Sequence, residues 1–492
     1  MDLSRNPERL VELLPDGWAG RGALFRGLAE ALRRLVDEGD LTPGARLPSE
    51  RGLAAALALS RSTVVAAYDE LRADGTLASR QGSGTLVARR SGGGRRRTGH
   101  GHRQGQAESV LARLTQGPGR VISLAYAADA GAPELAEALR EVTAYDLPHL
   151  LSDAGYHPRG LFLLRERIAV HLGELGLPTS PDQVVVTTGA HQAIALTAQM
   201  YLRPGSTVVV ESPSWPGCFD LFSAYGARTV GVPLDEEGMR PDLLAAALAE
   251  HQPDLLFVMP GYHNPTGRLM SAPRRRRIAE LARQHDVPVV EDLAYSGRIG
   301  TRDALPPPLG AFAERGGEVL TLGSLSKSVW SGLRVGWLRA EEPVAARFAR
   351  HKALADLGTP VLDQAVAARL LPRLAELEQT RAESAARRLR HLTGLLEQSL
   401  PDWRWERPAG GSALWIELPG VDAGAFAQVA LRHEVEVVAG RTTDPSGRHD
   451  SFVRLPFTYP PDVLTEAVHR LARAWADFRR HGPAPEQGPP LV

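Results

Sequence analysis

Six short runs of strand-favouring residues, separated by stretches of helical spacing, set what most of this chain can fold into. They are QVVVTTG at 183–189, STVVVES at 206–212, LLFVMP at 255–260, VPVVED at 287–292, EVLTLGS at 318–324 and RVGWLRA at 334–340. Strands spaced by helices predict an α/β fold with a mainly parallel sheet and helices on both faces. Residues from about 345 to 400 are rich in Arg, Glu and Leu and predict long helix. From about 403 to 480, short strands and helices mix, as in a smaller C-terminal α+β lobe. The final GPAPEQGPPLV is expected to be disordered, and no internal repeat is visible.

A chain of 492 residues exceeds one ordinary domain. Hydrophobic residues at 43% and charged residues at 23% are a normal soluble balance. No apolar run reaches about 18 residues, so no membrane-spanning helix is expected. The charged start MDLSRNPERLVELLPDGW predicts no secretory leader. The single cysteine, Cys218, excludes an internal disulfide framework and a cysteine metal cluster. Its plain reading is an inert buried thiol. Together these point to a cytoplasmic protein with no membrane partner and no metal site.

Charge is uneven along the chain. Residues 1–105 carry a net +5 and the remainder −5, as expected for a head that meets phosphate. Lys327 and Lys352 are the only lysines, against 55 arginines. A chain that so strongly favours Arg keeps Lys where a guanidinium cannot serve. Schiff-base chemistry is such a place, because it needs a primary amine.

Residues about 20–88 form a separate unit. ALFRGLAEALRRLVDEG has helical apolar spacing and stops at Gly39. Ser49 is placed to cap a second helix and Ser60 a third, RSTVVAAYDELRADG. Two helices joined by about three residues are a helix-turn-helix. TLASR and GTLVA around Gln81–Gly84 make a hairpin, the wing. The third helix starts with Ser60, Arg61, Ser62 and Thr63, whose side chains can reach base edges and phosphates from the major groove. Its first amides favour phosphate, and Gly82 and Gly84 let the wing approach a sugar-phosphate strand. Residues 89–117 follow, opening with RRSGGGRRRTGHGHRQGQA, a flexible basic tether able to grip DNA backbone nonspecifically.

The stretch LTPGARLPSERGLAAALALSRSTVVAAYDELRADGTLASRQGSGTLV resembles the GntR family of winged helix-turn-helix regulators, over some 65 residues. That resemblance implies contact of Arg51, Ser60, Arg61, Ser62 and Gly82 with double-stranded operator DNA. Arg51 has a plainer reading, as the partner of a helix carboxylate. Val65 stands where some family members place a base-reading Arg, which leaves sequence preference open.

In the larger part, residues about 118–480, the decisive stretch is Ser324-Leu-Ser-Lys327-Ser-Val-Trp-Ser-Gly-Leu-Arg334-Val-Gly-Trp. Pyridoxal 5'-phosphate needs an amine for its aldehyde and donors for its phosphate, and Lys327 with Ser324 and Arg334 can supply both. Asp292 ends a strand and can face the pyridine nitrogen, keeping it protonated so that the ring is an electron sink. Tyr295 and Asn264 can bond the ring hydroxyl. Gly189, Ala190 and His191 open a helix after a strand, so their amides can cradle phosphate. Trp215 can stack on the ring, and Arg454 can pair with a substrate carboxylate. Blander roles exist for each: Asp292 as a helix cap, Tyr295, Trp215 and His191 as packing, Arg454 in a structural ion pair.

The order TGAHQA, ESPSWPG, HNPTG, VEDLAY, SLSK, GLRVGW, RLPF is similar to that of the fold-type I aminotransferases. The resemblance implies that Lys327 is the Schiff-base lysine. It implies a homodimer in which Tyr156, in GYHPRG, reaches the neighbouring subunit's phosphate. A GntR-type head on such a body looks like the MocR subfamily of regulators, whose dimers are head-to-tail. The chain has EDLAY where members often have EDDY. It also lacks an Arg after Pro213 that the gamma-aminobutyrate responder offers its ligand, which argues against that effector.

The expected function is a cofactor-dependent regulator sensing a small amino compound, with residual transaminase activity compatible with the residues present. A working aminotransferase carrying a DNA-binding head is the alternative. A sensor of free pyridoxal phosphate is a third.

Overall fold

Side-chain caps and turns set the boundaries of the reader's helices. The computed structural model describes residues 7–14, 24–38, 40–42, 44–57, 59–73, 76–80, 84–87, 120–127, 129–294, 305–313, 316–444 and 446–482. The chain divides into two units, Met1–His102 and Arg103–Val492.

In the first unit, helices α1 (Pro7–Leu13), α2 (Leu24–Glu38), α3 (Glu50–Ala56) and α4 (Arg61–Ala73) precede strands β1 (Leu77–Arg80) and β2 (Gly84–Val87). Ser49 caps α3, its side chain accepting from the Gly52 N–H at 3.1 Å. β1 and β2 pair antiparallel, Leu77 opposite Val87, and the segment before α3 adds to the wing through Leu47 N–H to Thr85 O at 2.9 Å. Leu10, Leu28, Leu32, Leu53, Val64 and Tyr68 are buried together. The Tyr68 hydroxyl donates to Pro48 O at 3.0 Å, pinning α4 to the turn before α3. Helix α1 contributes Leu10 to this core; the reading of the sequence did not place it, although Asn6, Pro7 and Glu8 form a helix-start signal.

The second unit opens on β3 (Ile122–Ser123). Its main sheet contains β4 (Val184–Thr187), β5 (Thr207–Ser212), β6 (Arg228–Asp235), β7 (Gly238–Met239), β8 (Leu255–Val258), β9 (Val289–Asp292), β10 (Val319–Ser324) and β11 (Gly336–Arg339). The spatial order is β4-β11-β10-β9-β8-β5-β6-β7. Strands β6, β5, β8, β9 and β10 run parallel, while β11 is antiparallel to both β10 and β4. All six expected runs are strands. Strand β6 was not among them, because RTVGVPLD is half-exposed and interrupted by Gly231 and Pro233. Helices cover both faces, giving one core of Val208, Phe222, Phe257 and Leu320, and others of Leu164, Ile168 and Trp337 and of Leu244, Ile278 and Val289.

The expected long helix is three: Glu342–Asp356, Val361–Leu370 and Leu374–Ser399. Leu357 and Gly358 take positive φ ahead of Pro360, which ends the first. The C-terminal lobe has a sheet of β12 (Arg404–Trp405), β13 (Ala413–Glu417), β16 (Phe452–Pro456) and β15 (Val438–Ala439). It is backed by helices Ala423–Arg432 and Pro461–His481, with β14 (Val435–Glu436) pairing β3. Its core packs Trp403, Phe426 and Trp475 edge to face at 5.5–5.6 Å, each buried ring worth about 2 kcal/mol. No described helix is long and apolar enough to cross a membrane.

Candidate functional site

In the reader, Ser60 Oγ accepts from the Thr63 N–H at 3.1 Å and lies 2.7 Å from Thr63 Oγ1. That cap fixes the start of α4, where Arg61 is 70% exposed and only 3.8 Å at nearest from Glu50. Glu50 is held instead by Arg72 at 3.0 Å. Arg51 is exposed, and no ion pair joins it among the described residues. Ser62 lies in α4, its side chain outside the described residues, as is Gly82.

In the large unit, strand register builds one edge. Asp292 is opposite Leu322, Ser324 opposite Gly336, and Gly336 opposite Thr187. The C-terminal ends of β9, β10 and β4 and the start of β11 therefore lie side by side, and the segments leaving them carry the candidate residues. Open α/β sheets bind ligands at this edge. Gly189 precedes helix Ala190–Tyr201 with φ of 85°. A Cβ there would sit 3.0 Å from Arg334 Nη2. Arg334, itself at φ 52°, donates to Thr188 O at 2.7 Å. Ser324 Oγ accepts from the Ser326 N–H at 3.1 Å and lies 3.0 Å from Ser326 Oγ. A glycine-flanked helix start, two hydroxyls and a guanidinium thus converge, as a phosphate monoester requires.

Asp292 is buried, and burial pushes its carboxyl up to about 6, against the Ala294 N–H at 2.8 Å and the Lys327 ammonium, which pull it down. Lys327 follows β10 and donates to Ala127 O at 2.5 Å. Arg454, on β16 and 4% exposed, donates to Asn264 Oδ1 at 3.3 Å and to Ala125 O at 2.6 Å. Two carbonyls of one strap, residues 120–127, therefore engage both cations. The strap is fixed by β3–β14 pairing and by the Tyr459 hydroxyl donating to Ser123 O at 2.6 Å. Nothing in the sequence of the strap marked these carbonyls.

Trp215 and His191 meet edge to face at 5.7 Å, and Gly217 is required beneath the indole, since a Cβ would come within 2.3 Å of it. Tyr156 does not join the cluster. It is 69% exposed, beside an open groove of about 520 Å³ that His157, Arg165 and Arg350 also line. Tyr295 lies outside the described residues. Lys352 is buried in an ion pair with Asp356 at 2.7 Å.

Sequence reasoning also missed a buried pair behind the Asn264 loop. Glu211, at the end of β5, accepts from the Met259 N–H at 2.6 Å and lies 3.5 Å from His263 Nε2. Burial pushes Glu211 up to about 8 and His263 down to about 3, so each is neutral near pH 7.

Residues 24–87 match the family described as "Bacterial regulatory proteins, gntR family", and residues 132–471 match "Aminotransferase class I and II". The HTH-type transcriptional regulator YisV of Bacillus subtilis is 30% identical over 89% of this chain and 92% of its own length. The HTH-type transcriptional regulator TauR of Rhodobacter capsulatus is 30% identical over 92% of this chain and 97% of its own. The crystal structure of LysN, the alpha-aminoadipate aminotransferase of Thermus thermophilus complexed with N-(5'-phosphopyridoxyl)-L-leucine, superposes with a TM-score of 0.67. It shares 30% identity and covers 76% of this chain and 96% of that one. With both modules matched in sequence, and full-length relatives sharing them in the same order, the chain belongs to the MocR-type transcriptional regulators, GntR-family helix-turn-helix readers fused to a fold-type I aminotransferase domain.

Proposed function

We propose that this regulator holds pyridoxal 5'-phosphate at Lys327 and uses that site to sense a small compound bearing an amine and a carboxylate. We place the reader at residues 20–88, the linker at 89–117 and the sensing body at 118–480. One observation carries the reading: the register of β9, β10, β11 and β4 sets a buried carboxylate, a lysine and a phosphate cradle along one sheet edge.

When bound, pyridoxal phosphate supplies an aldehyde for amine capture and an electron-withdrawing ring. The amides of Gly189, Ala190 and His191, with Ser324 and Arg334, hold the phosphate. Asp292 holds a proton at the ring nitrogen. Asn264 and Tyr295 orient the ring hydroxyl, and Trp215 covers a ring face. Arg454 takes the effector's carboxylate, which must replace the Ala125 carbonyl now on Nη2. Displacing the strap changes the segment that leads directly to the linker and reader, so effector and DNA affinities are linked. In the reader, Arg51, Ser60, Arg61, Ser62, Thr63 and Gly82 meet double-stranded DNA, and the linker's arginines add phosphate contacts.

A homodimer, head-to-tail, completes the assembly. Its support is that Leu139, Tyr145, Leu151, Phe162 and Leu354 are exposed apolar residues of the same unit; in such a dimer the exposed Tyr156 would reach a partner's phosphate. The retained lysine, aspartate and arginine, with the likeness to transaminases, favour slow transamination as a second activity.

The test is to titrate amines and amino acids into the cofactor-loaded full chain while following visible absorbance, then repeat with promoter DNA. Lys327→Ala should lose both the absorption band and the DNA response. A normal response from that variant, or attachment at Lys352, overturns the reading. Rapid turnover of an amino acid and keto acid pair without any DNA effect favours the enzyme.

A further inference from the structure

The second lysine has a structural context of its own. Lys352 is fully buried near the end of helix Glu342–Asp356 and donates to both oxygens of Asp356 at 2.7 Å. Asp356 Oδ2 also accepts from Gln192 Nε2 at 2.7 Å, and Oδ1 from the Gly358 N–H at 3.0 Å. Gln192 Oε1 in turn accepts from the Thr188 N–H at 2.9 Å. A backbone N–H can only donate and a carboxylate can only accept, so the two ends of the Gln192 amide are assigned without ambiguity. Thr188 is thereby clamped on both sides, its N–H by Gln192 and its C=O by Arg334 at 2.7 Å. The next residue is Gly189.

We propose that Lys352, Asp356 and Gln192 are positioning residues that clamp Thr188 and so aim the following Gly189–His191 amides at the cofactor's phosphate; this rests on the cofactor reading above. An isolated carboxylate would tilt toward solvent. The buried ammonium holds both oxygens in place, and Oδ2 has lone-pair capacity left to accept from Gln192 as well. A guanidinium would bring five N–H donors to this buried position, where the ammonium brings three, a reason for a lysine here in so arginine-rich a chain. The far end is equally fixed. Gly358 packs so close to the His157 carbonyl that a Cβ would lie 2.9 Å from its oxygen. His157 adjoins Tyr156, so one relay ties the cradle to the segment that carries the exposed tyrosine.

The test compares pyridoxal phosphate with pyridoxal, which lacks the phosphate, on the full chain. Gln192→Leu should weaken pyridoxal phosphate about tenfold, the loss of one aligned network hydrogen bond. It should change pyridoxal less than about twofold. Asp356→Asn should show the same split, and inorganic phosphate should compete more weakly in both variants. Equal losses for the two compounds mean that the relay merely tethers two helices, and overturn the proposal, as does no loss for either. If neither variant folds, hydrogen exchange on the unmodified chain decides. Pyridoxal phosphate, but not pyridoxal, should slow exchange at Thr188 and Gly358 together, and protection at Thr188 alone overturns the relay. An unmodified chain that gives no visible band with either compound defeats the cofactor reading itself.

Discussion

Arg454 and Ala125 are joined by a 2.6 Å hydrogen bond from a nearly buried guanidinium to a strap carbonyl. A neutral carbonyl is a weak partner for that cation compared with a carboxylate, which can accept two parallel N–H bonds. An effector carboxylate therefore gains on exchange, offset by the cost of moving the strap. Tyr459→Phe removes the hydroxyl that pins Ser123 and should tighten amino-acid binding about three- to tenfold. Arg454→Gln should weaken it by about 10- to 100-fold. Calorimetric titration reads both, and a Tyr459→Phe protein that binds effector no better would show that the strap does not oppose the ligand.

Gly189→Ala tests the cradle. The residue sits at φ 85° and its new Cβ would meet Arg334 Nη2 at 3.0 Å. With ψ at 168° the backbone lies in a region essentially reserved for glycine, which alone costs about 1–3 kcal/mol for alanine, and the shifted guanidinium should lower affinity for pyridoxal phosphate and for inorganic phosphate alike. Thermal denaturation and absorbance titration measure the two effects. Full retention of phosphate affinity would remove Arg334 from the phosphate site.

The buried Glu211–His263 pair makes stability depend on pH in a defined direction. Glu211 is raised from an ordinary 4.5 to about 8, so between those values the folded chain binds more protons than the unfolded one. Stability then falls as pH rises through that window. His263 is lowered from 6.5 to about 3, so its contribution falls as pH drops below 6.5. The two oppose each other between pH 4.5 and 6.5, and Glu211 acts alone above that. Glu211→Gln should flatten the loss of thermal midpoint between pH 6.5 and 8. An unchanged slope would mean that Glu211 is ionised in the folded chain.

Arg61→Ala should act on DNA and little else. Its side chain is 70% exposed and its nearest carboxylate is 3.8 Å away, so stability should change by less than about 0.5 kcal/mol. Losing one phosphate contact should make the slope of log affinity against log salt shallower by about 1. A binding isotherm series between low and moderate salt checks this. If operator preference changes while the slope does not, Arg61 reads a base.

Most of the elements were legible because their causes are local. Ser49 and Ser60 cap helices through bonds three residues away, and the apolar runs around Val185, Val209 and Val290 become strands. The SLSK and GLRVGW segments put Lys327, Ser324 and Arg334 forward as candidates because a phosphorylated aldehyde would demand those residue types. Strand β6 was hidden, since a half-exposed run with Gly231 and Pro233 lacks the continuous apolar signature.

What the amino-acid order alone determined is therefore the inventory: two modules, their helices and strands, and the side chains able to hold a phosphorylated aldehyde. Only the tertiary structure decided who meets whom. The antiparallel insertion of β11 between β10 and β4 places Arg334 against Thr188, 146 residues away in the chain. The strap's carbonyls reach Lys327 and Arg454 across 200 and 329 residues. Lys352 became a buried support rather than a spare amine because Asp356 faces it one turn on and Gln192 arrives from another helix. Register and helix packing are set by the sum of many weak apolar contacts, and no single segment of sequence carries that sum.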